Sequence, residues 1–373
     1  MTDPRIERWA RTLVGYCLDI QPGHVVLIGS TPLAEPLIAA TYREVLRAGG
    51  HLIVNLRLSE LDRLLLTEGS DEQLAWLSPG DRANMEHANA TLGINAASNT
   101  RALTSVDPAR QAINQRAMRE LGHIRQQREA AGQLHWCGTL YPTPAHAQDA
   151  EMSLAEFSEF VYGACFLNAD DPGSAWAALG REQQRYVDWL RGKRQVRVVG
   201  PDTDLRLSIA DRTFINSDGK RNFPSGEFFT GPVEDSAEGV IRFTVPSIYA
   251  GRPVQDVRLR FERGRVVEAS AAQGDAFLQQ MLELDAGARY LGEFAFGNNF
   301  GITRGIRNIL FDEKIGGTIH MALGNSYPET GGQNVSALHW DMVCDLRVAA
   351  GGGEVWVDDE LFLKDGKLLL KDA

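Results

Sequence analysis

Cysteine is scarce: Cys17, Cys137, Cys165 and Cys344 stand singly among 373 residues, with no CxxC pair. That excludes a zinc ribbon and a disulfide framework and leaves four reduced, buried thiols as the expectation. Long apolar runs are missing as well. Nothing approaches the roughly 18 uninterrupted apolar residues that a membrane-spanning helix needs. The opening stretch MTDPRIERWARTLVGYCLDI is charged and amphipathic, without the apolar centre of a secretory signal, so a cytoplasmic protein with no membrane partner is expected. Positive charge is in deficit, 38 basic against 49 acidic residues for a net charge of -11, which argues against nucleic acid as a partner. Phosphate-binding glycine motifs are absent too. Gly29 follows a strand-like run, but GSTPLAEP carries no GxGxxG, and GxxxxGK[ST] occurs nowhere.

What is present describes a globular chain. A content of 43% hydrophobic and 23% charged residues supports a sizeable core, and at about 150 residues per domain the length predicts two domains. The first half alternates in period. Ile6, Trp9, Leu13 and Tyr16 mark a helix over 4–18, HVVLIGS (24–30) a strand, and a helix follows over 34–48. HLIVNLR (51–57), ATLGINA (90–96) and LHWCGTL (134–140) repeat the strand signal, with helical stretches between them, the last over 108–128. Strands separated by helices of this length predict a mostly parallel, helix-covered sheet. Two helices fill 151–193, broken at NADDPG (168–173). Beyond Lys193 the pattern turns to β, as in Val257, Leu259 and Phe261 alternating with Arg258, Arg260 and Glu262, with one helix near 272–287. The fold expected is α/β: an N-terminal parallel-sheet domain over 1–193 and a C-terminal β-rich α+β domain over 194–373.

The chemistry concentrates in HMALGNSYPETGGQNVSALHWD, His320 to Asp341. His339 and Asp341 are two apart, so on a strand they share a face while Trp340 turns into packing. His320 closes GGTIH, a second strand-like run. Two neighbouring strands would thus aim two imidazoles and a carboxylate at one point, a donor set suited to a divalent metal. Two glutamates sit in apolar settings where an unpaired carboxylate is costly: Glu227 in PSGEFFTG and Glu293 in LGEFAFGNN. Glu227, Glu293, His320, His339 and Asp341 make five candidate ligands. That is more than one tetrahedral zinc uses and suits two ions sharing a bridging carboxylate. His24, His51, His87, His123, His135 and His146 read as structural. Glu234, Asp235 and Glu238 read as a solvated charge run, and Asp312 and Glu313 as turn chemistry.

PSGEFFTGPVEDSAEG, LGEFAFGNN, LFDEKIGGTIHMALGNSYPETGG and SALHWDM together resemble the M29 family of metallopeptidases, the aminopeptidase T and aminopeptidase S type, across most of the chain. The resemblance implies that Glu227, Glu293, His320, His339 and Asp341 bind a pair of divalent ions (zinc, cobalt, manganese or magnesium). It gives Tyr327 a catalytic role, with Glu227 or Glu293 relaying a proton, and implies peptide substrates with a free amino terminus and a homodimer. The N-terminal domain would then shape the cleft and supply an association surface. One departure is Phe300 after Asn299, where the family pattern has proline. A rival uses the same residues. His320, His339 and Asp341 are also the facial triad of a mononuclear non-haem iron site, and dihydroxypyridine ring-opening dioxygenases resemble the same family. Glu227 and Glu293 discriminate, because an iron triad needs neither and a two-metal hydrolase needs both.

Overall fold

Helix starts follow their capping residues closely. In the computed structural model, which describes residues 3–249 and 251–370, Asp107 accepts from Ala109 N at the head of helix Pro108–Ala130. Ser153 and Glu156 form a reciprocal capping box on helix Leu154–Ala164. Such caps satisfy amide donors that the first turn leaves free, each contributing about 1 kcal/mol. The predicted helix over 4–18 begins as an α-helix, Pro4–Thr12, and continues as a π-helical turn, Leu13–Cys17.

Close packing divides the chain into two units. The first comprises residues 1–175 with 219–223, the second 176–218 with 224–373. The division expected at residue 193 therefore lies earlier. Helix Pro172–Leu190 carries Val187 and Leu190 into the core of the second unit, because its apolar stripe finds strands there to cover. The first unit holds a five-stranded sheet in the order His51–Leu56, Val25–Ser30, Ala90–Asn95, His135–Leu140, Asn222–Phe223. All neighbours are parallel, as predicted. The last strand was not anticipated; two residues are too few to carry a period. Val26, Ile28, Leu92 and Ile94 of its central strands are buried. Among the described residues no helix is long and apolar enough to cross a membrane, and all four cysteines are free and buried.

The second unit is built of two antiparallel sheets, one of nine strands and one of five. The smaller runs His339–Asp345, Thr318–Gly324, Leu291–Gly297, Glu227–Thr230, Ile215–Ser217. Its strands alternate, apart from one register shift between Leu291 and Glu293. Phe228, Phe294, Phe296, Ile319, Met321, Leu323, Trp340 and Met342 join Val198, Leu205, Ile241, Leu259 and Val355 of the larger sheet in one core. Phe228 stacks on Phe296 at 4.9 Å, and Phe294 meets Phe296 edge-on at 5.0 Å. Each buried phenylalanine contributes roughly 1.5–3 kcal/mol over an exposed one, and each ring pair about 0.5–1.5 kcal/mol more. That face anchors the sheet, so side chains one position along each strand are held in place on the other.

Candidate metal centre

The other face carries the chemistry. Glu227, Glu293, His320, His339 and Asp341 occupy the positions out of phase with the core residues, and the sheet registers bring them together. Ala322 lies between Asp341 and Glu293 across the sheet, Ala295 beside His320, and Gly297 opposite Glu227. Short residues at these positions leave space above the sheet where the longer polar side chains converge. The structure gathers all five sequence candidates from four strands. His320 Nε2 lies 3.3 Å from Glu227 Oε2 and 3.3 Å from Glu293 Oε1. His339 Nε2 lies 3.5 Å from Glu293 Oε2 and 3.5 Å from Asp341 Oδ2. Two groups able to hold an ion follow, Glu227–Glu293–His320 and Glu293–His339–Asp341, with Glu293 in both.

Local backbone sets these positions. A register irregularity between Leu291 and Glu293 places Gly292 at a bulge, where a Cβ would overlap the carbonyl oxygens of Gly324 and Asn325. Only glycine lets the Glu293 strand pass that close. The Asn325 carbonyl in turn accepts from His339 Nδ1 at 2.8 Å, which directs Nε2 at the carboxylates. Tyr327, 38% exposed, stands at the rim with its ring edge-on to His339 at 5.1 Å and 5.5 Å from Phe229.

The site is a buried concentration of interacting charged groups. Burial raises Glu227 to about 7 although Lys314 pulls it down, and burial likewise raises Asp341 to about 6 against His339. Burial opposes the Glu293 charge too, but hydrogen bonds from His320 and His339 hold it down at about 2. The imidazoles respond in the opposite sense. Burial disfavours their charge, yet Glu293 and Glu227 lift His320 to about 9, and Asp341 and Glu293 lift His339 to about 10. Three atoms have no hydrogen-bond partner despite deep burial: Glu227 Oε2, Asp341 Oδ1 and His320 Nδ1. The two carboxylate oxygens are buried acceptors, costly unless a cation meets them, so the donor set fits divalent ions.

Sequence reasoning missed three participants. Glu313, set aside as turn chemistry, forms a third group with His320 and Asp341. Lys314 was not singled out, yet it is fully buried, with Nζ 3.4 Å from Glu227 Oε1 and in contact with Glu313. Glu234, expected to be solvated, pairs with the nearly buried Arg212 at 2.7 Å and accepts from Gln333 N at 2.6 Å, pinning the loop that carries Tyr327. Asp312 does serve a turn, accepting from Ile306 N at 2.7 Å. The available signal for Glu313–Lys314 was an acid–base doublet between the apolar runs ILF and IGG. The six histidines read as structural all lie in the first unit, while both site histidines lie in the second.

Two sheets packed on one core, with carboxylates and imidazoles gathered on the outer face of the smaller, form a candidate metal centre. A family model described as thermophilic metalloprotease (M29) matches residues 2–368, and the chain belongs to that family of hydrolases. It is 28% identical over 354 residues to aminopeptidase 2 of Geobacillus stearothermophilus, covering 87% of this chain and 84% of that protein. The solved structure of wild-type AmpT from Thermus thermophilus superposes with a TM-score of 0.83 at 24% identity, over 98% of this chain and 99% of that one. That likeness establishes the α/β fold. The structure of 2,5-dihydroxypyridine dioxygenase from Pseudomonas putida KT2440 superposes with a TM-score of 0.57 at 14% identity, over 98% and 97% of the two chains. It shares the fold alone.

Proposed function

We propose that this chain is a metal-dependent aminopeptidase that removes the N-terminal residue from peptides. Its two divalent ions, zinc, cobalt, manganese or magnesium, would be held by Glu227, Glu293, His320, His339 and Asp341. One observation carries the reading: Glu293 directs one oxygen to His320 and the other to His339, so a single carboxylate belongs to two ligand groups. A mononuclear iron triad has no use for that arrangement. When bound, such an ion pair lowers the pKa of a water toward neutrality and polarises a substrate carbonyl.

The remaining work falls to the chain's own groups. Partial burial, with Glu293 and Asp341 close by, raises the Tyr327 hydroxyl above its ordinary range, so it stays protonated and can donate to the oxyanion that develops on the scissile carbonyl. Of the two glutamates, Glu227, raised to about 7 by burial, suits taking the proton released by the attacking water and delivering it to the leaving amine, whereas Glu293, held at about 2, does not. A free substrate amine offers a cation to these carboxylates and a lone pair to an ion. On this reading the protein works in the cytoplasm, and as a homodimer, as the family resemblance implies for its assembly.

The test is paired. A leucyl or alanyl peptide should be cleaved and its acetylated form should not, since losing the amine contact misplaces the scissile carbonyl and small misplacements cost about a hundredfold. A chelator should abolish the cleavage and added divalent ion restore it. Equal turnover of acetylated peptide would remove the aminopeptidase reading, and full activity in metal-free protein the metal-dependent one.

Metal uptake should also release protons. In the ion-free centre His320 and His339 titrate near 9 and 10, so both carry a proton at neutral pH that an ion must displace. Apparent affinity should therefore rise with pH until both imidazoles are neutral. It should fall in acid, where Glu227 and Asp341 take up protons as well. Calorimetry of zinc binding in buffers of different ionisation enthalpy, between about pH 6 and 8, reads this directly. Binding without net proton release would remove the two imidazoles as ligands.

A further inference from the structure

Lys314 has no place in the chemistry above, yet few groups in the molecule are more constrained. It is 0% exposed. Its backbone nitrogen donates to Phe311 O at 3.0 Å, and its carbonyl accepts from Asn299 N at 3.0 Å. Asn299 is tied in turn through Nδ2 to Ser225 O at 2.9 Å, and Asn298 N donates to Gly226 O at 2.7 Å. The ammonium is thereby fixed to the segment that introduces Glu227. A buried lysine is costly unless carboxylates surround it, and here they do: Glu227 Oε1 lies 3.4 Å away and Glu313 is in contact.

The two oxygens of Glu227 have different surroundings. Oε1 faces the ammonium, whereas Oε2 faces His320 and accepts no hydrogen bond. We propose that Lys314 is a positioning residue, a built-in counter-cation that occupies Glu227 Oε1 so that only Oε2 is offered to an ion. The proposal rests on the metal-centre reading. Glu227, Glu293, Glu313 and Asp341 supply four negative charges, which two divalent cations would balance. The ammonium is thus an extra positive charge that opposes ion binding and keeps the ions exchangeable, while compensating the carboxylates when no ion is bound. Asp341 also lies within its field.

The experiment uses the full chain, cobalt(II) alone as probe, and two variants, Lys314→Met and Lys314→Arg. Methionine keeps the length and removes the charge. Cobalt affinity by chelator competition should then tighten by at least about tenfold, because a like charge a few ångströms away is gone. Freed to bind through both oxygens, Glu227 should raise the coordination number and weaken the visible cobalt absorption. The metal-free variant should melt well below the parent, and the cobalt-loaded one much less so, since tighter binding widens the gap between the two states. Arginine retains the cation and should stay within about threefold of the parent affinity. Weaker or unchanged binding in Lys314→Met would overturn the proposal, as would equal loss of melting temperature with and without cobalt, or failure to fold even with cobalt present. So would tightening of the same size in Lys314→Arg. A parent that takes up no cobalt defeats the metal-centre reading itself, which is a different result.

Discussion

Glu293→Gln is expected to lose bound metal and turnover together, with kcat/KM down by well over a hundredfold. Glu293 is shared between the Glu227–Glu293–His320 and Glu293–His339–Asp341 groups, and it stands 3.3 Å from His320 and 3.5 Å from His339. Glutamine preserves the volume but replaces one anionic oxygen by an N–H donor, so the side chain can no longer serve an ion on each side. Removing partners that merely orient metal ligands already costs about 10–100-fold in affinity or activity, and the shared ligand should cost more. The fold should survive, because the core beneath is formed by Phe294 and Phe296, which point the other way. Metal analysis of the purified variant beside circular dichroism checks both halves. A Glu293→Gln protein with its full complement of metal would take Glu293 out of the centre.

Tyr327→Phe should behave differently. Tyr327 is not among the five proposed ligands, and its ring contacts to His339 and Phe229 are kept by phenylalanine. Metal content should therefore match the parent. If the hydroxyl donates only to charge that appears in the transition state, kcat should fall by about 10²–10³-fold, the size seen when one oxyanion donor is removed, with KM little changed. An unchanged kcat would leave Tyr327 as a packing residue. Measured side by side, the two variants separate holding the ions from stabilising the reaction.

Much of the architecture was legible because it depends on period. Strands at Val25–Ser30, Ala90–Asn95 and His135–Leu140 were marked by short β-rich runs between helical stretches, and a parallel sheet follows from such spacing. The later antiparallel region announced itself by strict alternation. Glu227 and Glu293 were conspicuous for another reason: each follows a glycine and precedes a phenylalanine in an apolar run, where an unpaired carboxylate is costly. His339 and Asp341 were legible as a pair because residues two apart on a strand share a face.

Tertiary structure decided the rest, because it depends on register and on which strands become neighbours. Nothing local says that Ala322 separates Asp341 from Glu293, or that Gly292 sits at a bulge beside Asn325. Those pairings make Glu293 the residue shared between His320 and His339, a role that Glu227 could have filled on sequence alone. Helix Pro172–Leu190 joined the second unit because its apolar stripe completes a core that later strands build. Glu313 and Lys314 looked like an ordinary charged turn, and only the return of that turn to the Glu227 strand buries a full ammonium between two carboxylates. Composition and period along the chain determined which residues could serve a metal. Register and burial, which arise only when distant segments pack, decided how those residues divide the work.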